Sequence, residues 1–229
     1  KILQNKKTLF NFNHKDAQSI EFNRNPLIPF SSINLGPNIT IGDVNNDGLE
    51  DELITDVKGQ ATKLFKQNKE GEFNKSKNLV FEKNSISEDV YAVFFDANNE
   101  TFLDLIVLSG GNEFKKGEPL QPRLYLNNKD LFTKDTIQFK NIELNASKVK
   151  ALDIDNDGDT ELVITSHLIP WEFGRTSKQF IFKNNGKGSF TDATLNFGLD
   201  FQNIGNVQDL QWIDLNNDNF LDVIVVGYW

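Results

Sequence analysis

The chain contains no cysteine and no methionine, and its 229 residues include two histidines, His14 and His167, and six prolines. Without cysteine there is no disulfide framework, no thiol nucleophile and no cysteine-ligated zinc, so stability must come from packing, backbone pairing or another metal. With no methionine and Lys1 at the start, the expectation is a processed or truncated piece, compatible with a removed leader or lipid anchor. No apolar run approaches the roughly 18 to 20 residues that span a bilayer, and no signal peptide begins at Lys1. Positive charge is also scarce: 24 Lys plus Arg stand against 33 Asp plus Glu, a net charge of −9. That balance argues against a general binder of nucleic acid or anionic membrane. Apolar material is ample, with 38% hydrophobic residues and 20 phenylalanines, enough for one folded domain or part of a larger one.

A nine-residue acidic segment occurs four times, as Asp43–Asp51, Asp96–Asp104, Asp153–Glu161 and Asp214–Asp222, with starts 53, 57 and 61 residues apart. Each copy has acid at positions 1, 5 and 9. β-Branched runs follow them, such as Leu105-Ile106-Val107-Leu108 and Val223-Ile224-Val225-Val226, which read as strands. Next come alternating apolar residues with an Asn/Gly turn, as in Phe180 to Phe190, a hairpin signal. The unit is therefore strand, acidic loop, strand, strand, turn, strand. Repetition of such a unit predicts an all-β fold of four-stranded antiparallel blades, a β-propeller of which about three and a half blades are present. The expected divisions are a lead-in over 1–38, blades over 39–89, 90–147 and 148–207, and the start of a fourth over 208–229. Tyr125, Phe65 and Phe182 share one repeat position and are expected in the core.

Carboxylates crowded on a tight turn repel one another by several kcal/mol per pair at an effective dielectric of about 20. A hard divalent cation removes that cost. Calcium takes six to eight oxygens, and alternate positions 1, 3 and 5 converge when such a loop curls, with the position-7 carbonyl and the position-9 carboxylate completing the shell. The candidate ligands are Asp43, Asn45, Asp47, Leu49 and Asp51; Asp96, Asn98, Glu100, Phe102 and Asp104; Asp153, Asp155, Asp157, Asp159 and Glu161; and Asp214, Asn216, Asp218, Phe220 and Asp222. An EF-hand is excluded, since position 12 is Ile54 or Ile164 and strands flank the loops. Magnesium suits a protein cage less well. The third loop is ranked tightest and the first next; the fourth carries Asn219 in place of glycine. The second has Thr101 at position 6, where a β-branched residue resists positive φ, and is expected to stay empty. Fifteen of the 33 acids fall in the four loops, which hold no Lys or Arg, so the acidity is mainly a property of these segments, and anionic glycans return as conceivable ligands.

Taken together, Asn25-Pro-Leu-Ile-Pro-Phe30, Gly36-Pro37 leading to Ile41–Gly48, Leu108–Phe114, Pro119–Asn127 and Gln211–Trp229 resemble FG-GAP/VCBS repeats. These are the calcium-loop blades of integrin-α-type propellers, and the closer likeness is to surface proteins of Bacteroidetes of the ASPIC/UnbV, cartilage acidic protein-like type. The sequence departs from that pattern in the second loop and at Asp51-Glu52. The resemblance implies a seven- or eight-bladed propeller outside the cell, often on an outer-membrane lipoprotein, with calcium in up to four loops and no catalytic residue. Open sheet edges would be covered by the rest of the propeller or a partner chain.

The insertion His167-Leu-Ile-Pro-Trp-Glu-Phe-Gly-Arg175 supplies the ligand-face candidates Trp171 and Arg175, able to stack on a sugar or grip a carboxylate. The preferred reading packs Trp171 against its own blade. Two function classes remain. One is a non-enzymatic, calcium-stabilised binding or scaffold module for a protein or glycan, in a surface or uptake assembly. The alternative is a propeller-based glycan-degrading enzyme, for which no acid and base pair outside the loops is nominated.

Overall fold

The computed structural model describes residues 12–16, 20–26, 28–29, 31–32, 35–198 and 200–228. Leu27, Phe30 and Trp229, which belong to the stretches carrying the resemblance, lie outside the described residues, as does much of the lead-in. The fold is all-β. Strands β1 (Ile39–Gly42), β2 (Asp51–Ile54), β3 (Lys63–Gln67) and β4 (Phe73–Lys75) form the first sheet, and β5 (Asp89–Phe95), β6 (Asp104–Ser109), β7 (Arg123–Asn128) and β8 (Leu131–Lys134) the second. The third holds β9 (Asn145–Leu152), β10 (Glu161–Leu168), β11 (Phe180–Asn184) and β12 (Phe190–Asp192), and a two-stranded sheet pairs β13 (Asn206–Ile213) with β14 (Asp222–Tyr228). All pairings are antiparallel between sequence neighbours. Among the described residues no helix is long and apolar enough to cross a membrane.

One register recurs. The residue before each acidic loop pairs with the loop's ninth residue, as Gly42 with Asp51, Phe95 with Asp104, Leu152 with Glu161 and Ile213 with Asp222. The loops are thus the same hairpin connection in every sheet. Because strand side chains alternate between faces, each sheet has one apolar face toward the preceding sheet and another toward the next. Leu53 and Leu64 of the first sheet pack with Ala92, Leu105 and Tyr125 of the second. Ile106, Leu108 and Leu124 of the second pack with Val149, Leu162 and Phe182 of the third, while Val163 and Ile181 meet Leu210. Each such fully buried Leu or Ile contributes about 1.5 to 3 kcal/mol by burial. The opening strands lie side by side, β1 against β5, β5 against β9 and β9 against β13.

The two ends of this stack differ from its middle. Ile39 is 53% exposed, whereas its repeat counterparts Ala92, Val149 and Leu210 are 3% exposed or less. Ile224, 45% exposed, occupies the position at which Leu53, Ile106 and Val163 are fully buried. The last strand is therefore open on that face, because no further sheet lies against it among the described residues.

Candidate metal centre

All four acidic loops share one hydrogen-bond scheme. The position-1 carboxylate accepts the backbone N–H groups of positions 5 and 6: Asp43 from Asp47 and Gly48 at 3.1 and 2.8 Å, Asp96 from Glu100 and Thr101 at 3.2 and 2.8 Å. Asp153 accepts from Asp157 and Gly158 at 3.2 and 3.0 Å, and Asp214 from Asp218 and Asn219 at 3.2 and 2.9 Å. These are Asx-type turns, in which a short side chain stands in for a backbone acceptor. The position-3 asparagines Asn45, Asn98 and Asn216 accept a further N–H from position 5.

The position-9 acid ties the loop to the sheet. Asp51 accepts Val44 N–H at 3.2 Å and Gln67 N–H at 3.0 Å. Asp104 does the same with Ala97 and Asn127 at 2.9 and 2.7 Å, and Glu161 with Ile154 and Asn184 at 3.0 and 3.4 Å. Asp222 accepts Leu215 N–H at 3.1 Å. Burial raises the pKa of Asp51 and Glu161, and that of Asp104 to about 6, against the lowering effect of those N–H groups.

Two residues in each loop hold positive φ. Position 4 is always asparagine, with φ of 57° to 60° at Asn46, Asn99, Asn156 and Asn217. Its repetition in the sequence reflects a backbone requirement, since asparagine is among the few residues that visit this region readily. Position 6 has φ of 84° at Gly48, 91° at Gly158 and 69° at Asn219. Thr101 corrects an expectation: its φ is 73°, and the second loop folds like the others. The two N–H bonds to Asp96 and the anchor at Asp104 outweigh the roughly 1 to 2 kcal/mol that a left-handed non-glycine residue costs.

The third loop gathers its acids most closely. Ligand atoms of Asp153, Asp155 and Glu161 all lie within 4.8 Å of one another. Lys183, on β11, brings its ammonium to Asp155 and lies 3.1 Å from Asp157. The N–H of Asp159 and this ammonium lower the pKa of Asp157, and the two carboxylates raise that of Lys183. Lys183 was missed from the sequence. Its counterpart Lys66 ion-pairs instead with Asp130 of the neighbouring sheet, so composition gave no sign of where the chain would lean. Of the position-7 residues, Leu49, Asp159 and Phe220 donate N–H to the position-5 carboxylate; Phe102 lies in the corresponding place of the second loop.

Neighbouring loops are clamped together. Asn127 of β7 donates to Val44 O at 2.7 Å in the first loop, and Asn184 of β11 to Ala97 O at 2.9 Å in the second. Asn99 donates to Asp159 at 2.9 Å.

At the opposite ends of the strands the chemistry changes. Glu88 and Glu113 set their carboxyl groups against each other beside Gly111; burial first, and the Glu113 charge second, raise the pKa of Glu88 to about 8. Among the described residues Glu88 Oε1 and Oε2 make no hydrogen bond of good geometry, although the Glu113 carboxyl and the Lys58 N–H both lie close enough to shift its pKa. Both ring nitrogens of buried His167 lack a well-aligned hydrogen bond among the described residues, the backbone at Asn145 and Ala146 lying nearby, and burial lowers its pKa to about 4. Trp171 does not pack simply on its own sheet: its N–H groups reach Asn112 in the β6–β7 connection. Arg175 pairs with Glu172. The chain matches no protein-family model and no curated protein.

Proposed function

We propose that the chain is a non-enzymatic, calcium-stabilised binding or scaffold module whose sheets are blades of a β-propeller in an extracellular or outer-membrane surface protein. The observation that carries this reading is the convergence of Asp153, Asp155 and Glu161 within 4.8 Å on a loop repeated with one backbone geometry. Two oxygens on one calcium at about 2.3 to 2.6 Å stand at most about 5.2 Å apart, so this trio fits a single ion. The donors are hard oxygens, and the loop already draws a cation, the Lys183 ammonium, to Asp155. Calcium bound there would neutralise the carboxylates and add to the loop's rigidity. The blade reading is supported by the side-by-side opening strands. The exposed faces around Ile39 and Ile224 would then take further sheets of the same kind.

The enzyme alternative gains nothing from the Glu88 and Glu113 pair. Inverting and retaining glycosidases separate their carboxyl groups by about 5 to 9.5 Å around a substrate, whereas these two touch and Glu88 is buried. Calorimetric calcium titration tests the proposal, with at least two sites expected. Thermal melts should shift upward in excess calcium, by the equivalent of about 2.7 kcal/mol at a hundredfold excess over Kd. An identical melt in calcium and in chelator would overturn it.

A further inference from the structure

Position 3 of the acidic loop is asparagine in three copies, Asn45, Asn98 and Asn216, and aspartate in the third loop, Asp155. The asparagine amide makes two kinds of bond. Its oxygen accepts the position-5 N–H, and in the first and fourth loops its NH2 group donates to the position-5 carboxylate. Asn45 reaches Asp47 Oδ2 at 3.0 Å, and Asn216 reaches Asp218 Oδ2 at 2.9 Å. The other oxygen of each carboxylate takes the position-7 N–H. An ionised aspartate can accept but not donate. Left alone, Asp155 would set a second negative charge beside Asp157 at the place where its counterparts offer a donor.

The missing donor comes from another strand. The Lys183 ammonium bonds to Asp155 Oδ2 and stands 3.1 Å from Asp157 Oδ2. Asp157 Oδ1 takes the Asp159 N–H, so Oδ2 is the oxygen that asparagine serves in the first and fourth loops. This arrangement belongs to the third loop alone among the described residues. Lys66, at the same repeat position in the first sheet, is held by Asp130, and the second sheet has Leu126 there. Asp155 is also one of the three acids whose oxygens converge within 4.8 Å. Ammonium and metal therefore address the same carboxylate.

We propose that Lys183 is a built-in counter-cation of the third loop, taking the place of the position-3 amide in the metal-free state and opposing calcium at Asp155. The opposition rests on the reading of these loops as calcium sites. Asp155 is the ligand acid that the third loop has in excess of the first, and one ammonium offsets its charge. That extra acid thus brings no matching gain in affinity.

Calcium titration followed by the amide NMR signals of Gly48 and Gly158, whose N–H groups donate to Asp43 and Asp153, reads the first and third loops separately. In Lys183→Met the Gly158 midpoint should fall to roughly one tenth of the wild-type calcium concentration at low salt, the scale set by a divalent and a monovalent charge about 5 Å apart in water. The Gly48 midpoint should stay in place. Lys183→Arg, which keeps the cation, should leave both midpoints near wild type. Melts in chelator examine the metal-free state. Lys183→Met should melt below wild type, and adding Asp155→Asn, which restores the amide of the other loops, should recover the loss. A Gly158 midpoint unmoved or raised in Lys183→Met, or a double variant melting no higher than Lys183→Met, would overturn the proposal while calcium binding stands. If neither glycine responds to calcium in any variant, the metal reading falls and the opposition with it.

Discussion

At the acidic-loop end of the strands, the carboxylates at positions 1 and 9 face backbone N–H groups in every copy, from Asp43 to Asp222. At the other end of the same strands, Glu88 and His167 are buried with oxygens and nitrogens that make no well-aligned hydrogen bond among the described residues. A buried polar group without a partner costs about 1 to 3 kcal/mol, so the difference is energetic as well as descriptive. The loop end is a framework whose carboxylates hold the backbone in place. The opposite end has no repeated scheme: satisfied groups such as Arg123 with Asp89 and Ser109, or Gln179 with Ser166 and Gly205, stand beside Glu88 and His167, and there the strained, exposed Trp171 stands.

The sharpest way to break this comparison is to remove one framework acid. Asp104→Ala leaves the buried N–H groups of Ala97 and Asn127 without their acceptor and should destabilise the metal-free protein by about 3 kcal/mol, estimated from two such losses. Urea unfolding in chelator measures it. A loss below about 1 kcal/mol would mean that the carboxylate does not organise the loop.

Glu88 should behave in the opposite sense, and its signature is pH. Its folded pKa of about 8 lies above its ordinary value of 4.5, so between those limits the folded state holds the proton that the unfolded state has lost. Its stabilising contribution is present in full below pH 4.5 and is lost as pH rises toward 8, with a slope of at most about 1.4 kcal/mol per unit. Glu88→Gln should flatten the decline between pH 5 and pH 8, by up to about 3.5 kcal/mol in total. Parallel profiles for the two proteins would show that the Glu88 and Glu113 pair holds no such proton.

Much of the loop end was legible because its determinants are local. Acids at positions 1, 5 and 9 recur within nine residues, and continuous apolar runs such as Leu105–Leu108 mark strands buried on both faces. The opposite end was not legible, since Glu21, Glu88, Asn112 and His167 meet there from four distant segments and none repeats. Trp171 was noticed as an aromatic in an insertion, but its tie to Asn112, 59 residues earlier, exists only in the fold. Lys183 shows the same limit on a smaller scale: one repeat position, two different partners.

Thr101 offers the finest test of what holds a loop. It adopts φ of 73° where two other loops use glycine, and its bonds, an N–H to Asp96 at 2.8 Å and a carbonyl accepting from Asn46 at 3.4 Å, use only backbone atoms that glycine also has, so the strain is borne by Asp96 and Asp104. Thr101→Gly relieves the left-handed cost of about 1 to 2 kcal/mol but gives the unfolded chain more freedom, worth about 0.5 to 1 kcal/mol. The net expectation is a gain of about 0.5 to 1 kcal/mol in urea unfolding. Gly158→Thr, the reciprocal change, meets open space around the new Cβ and should lose a similar amount through φ alone. If Thr101→Gly destabilised while Gly158→Thr were neutral, the loop conformation would be set by position 6 and not by the carboxylates, and the contrast between the two ends of the sheets would lose its physical basis.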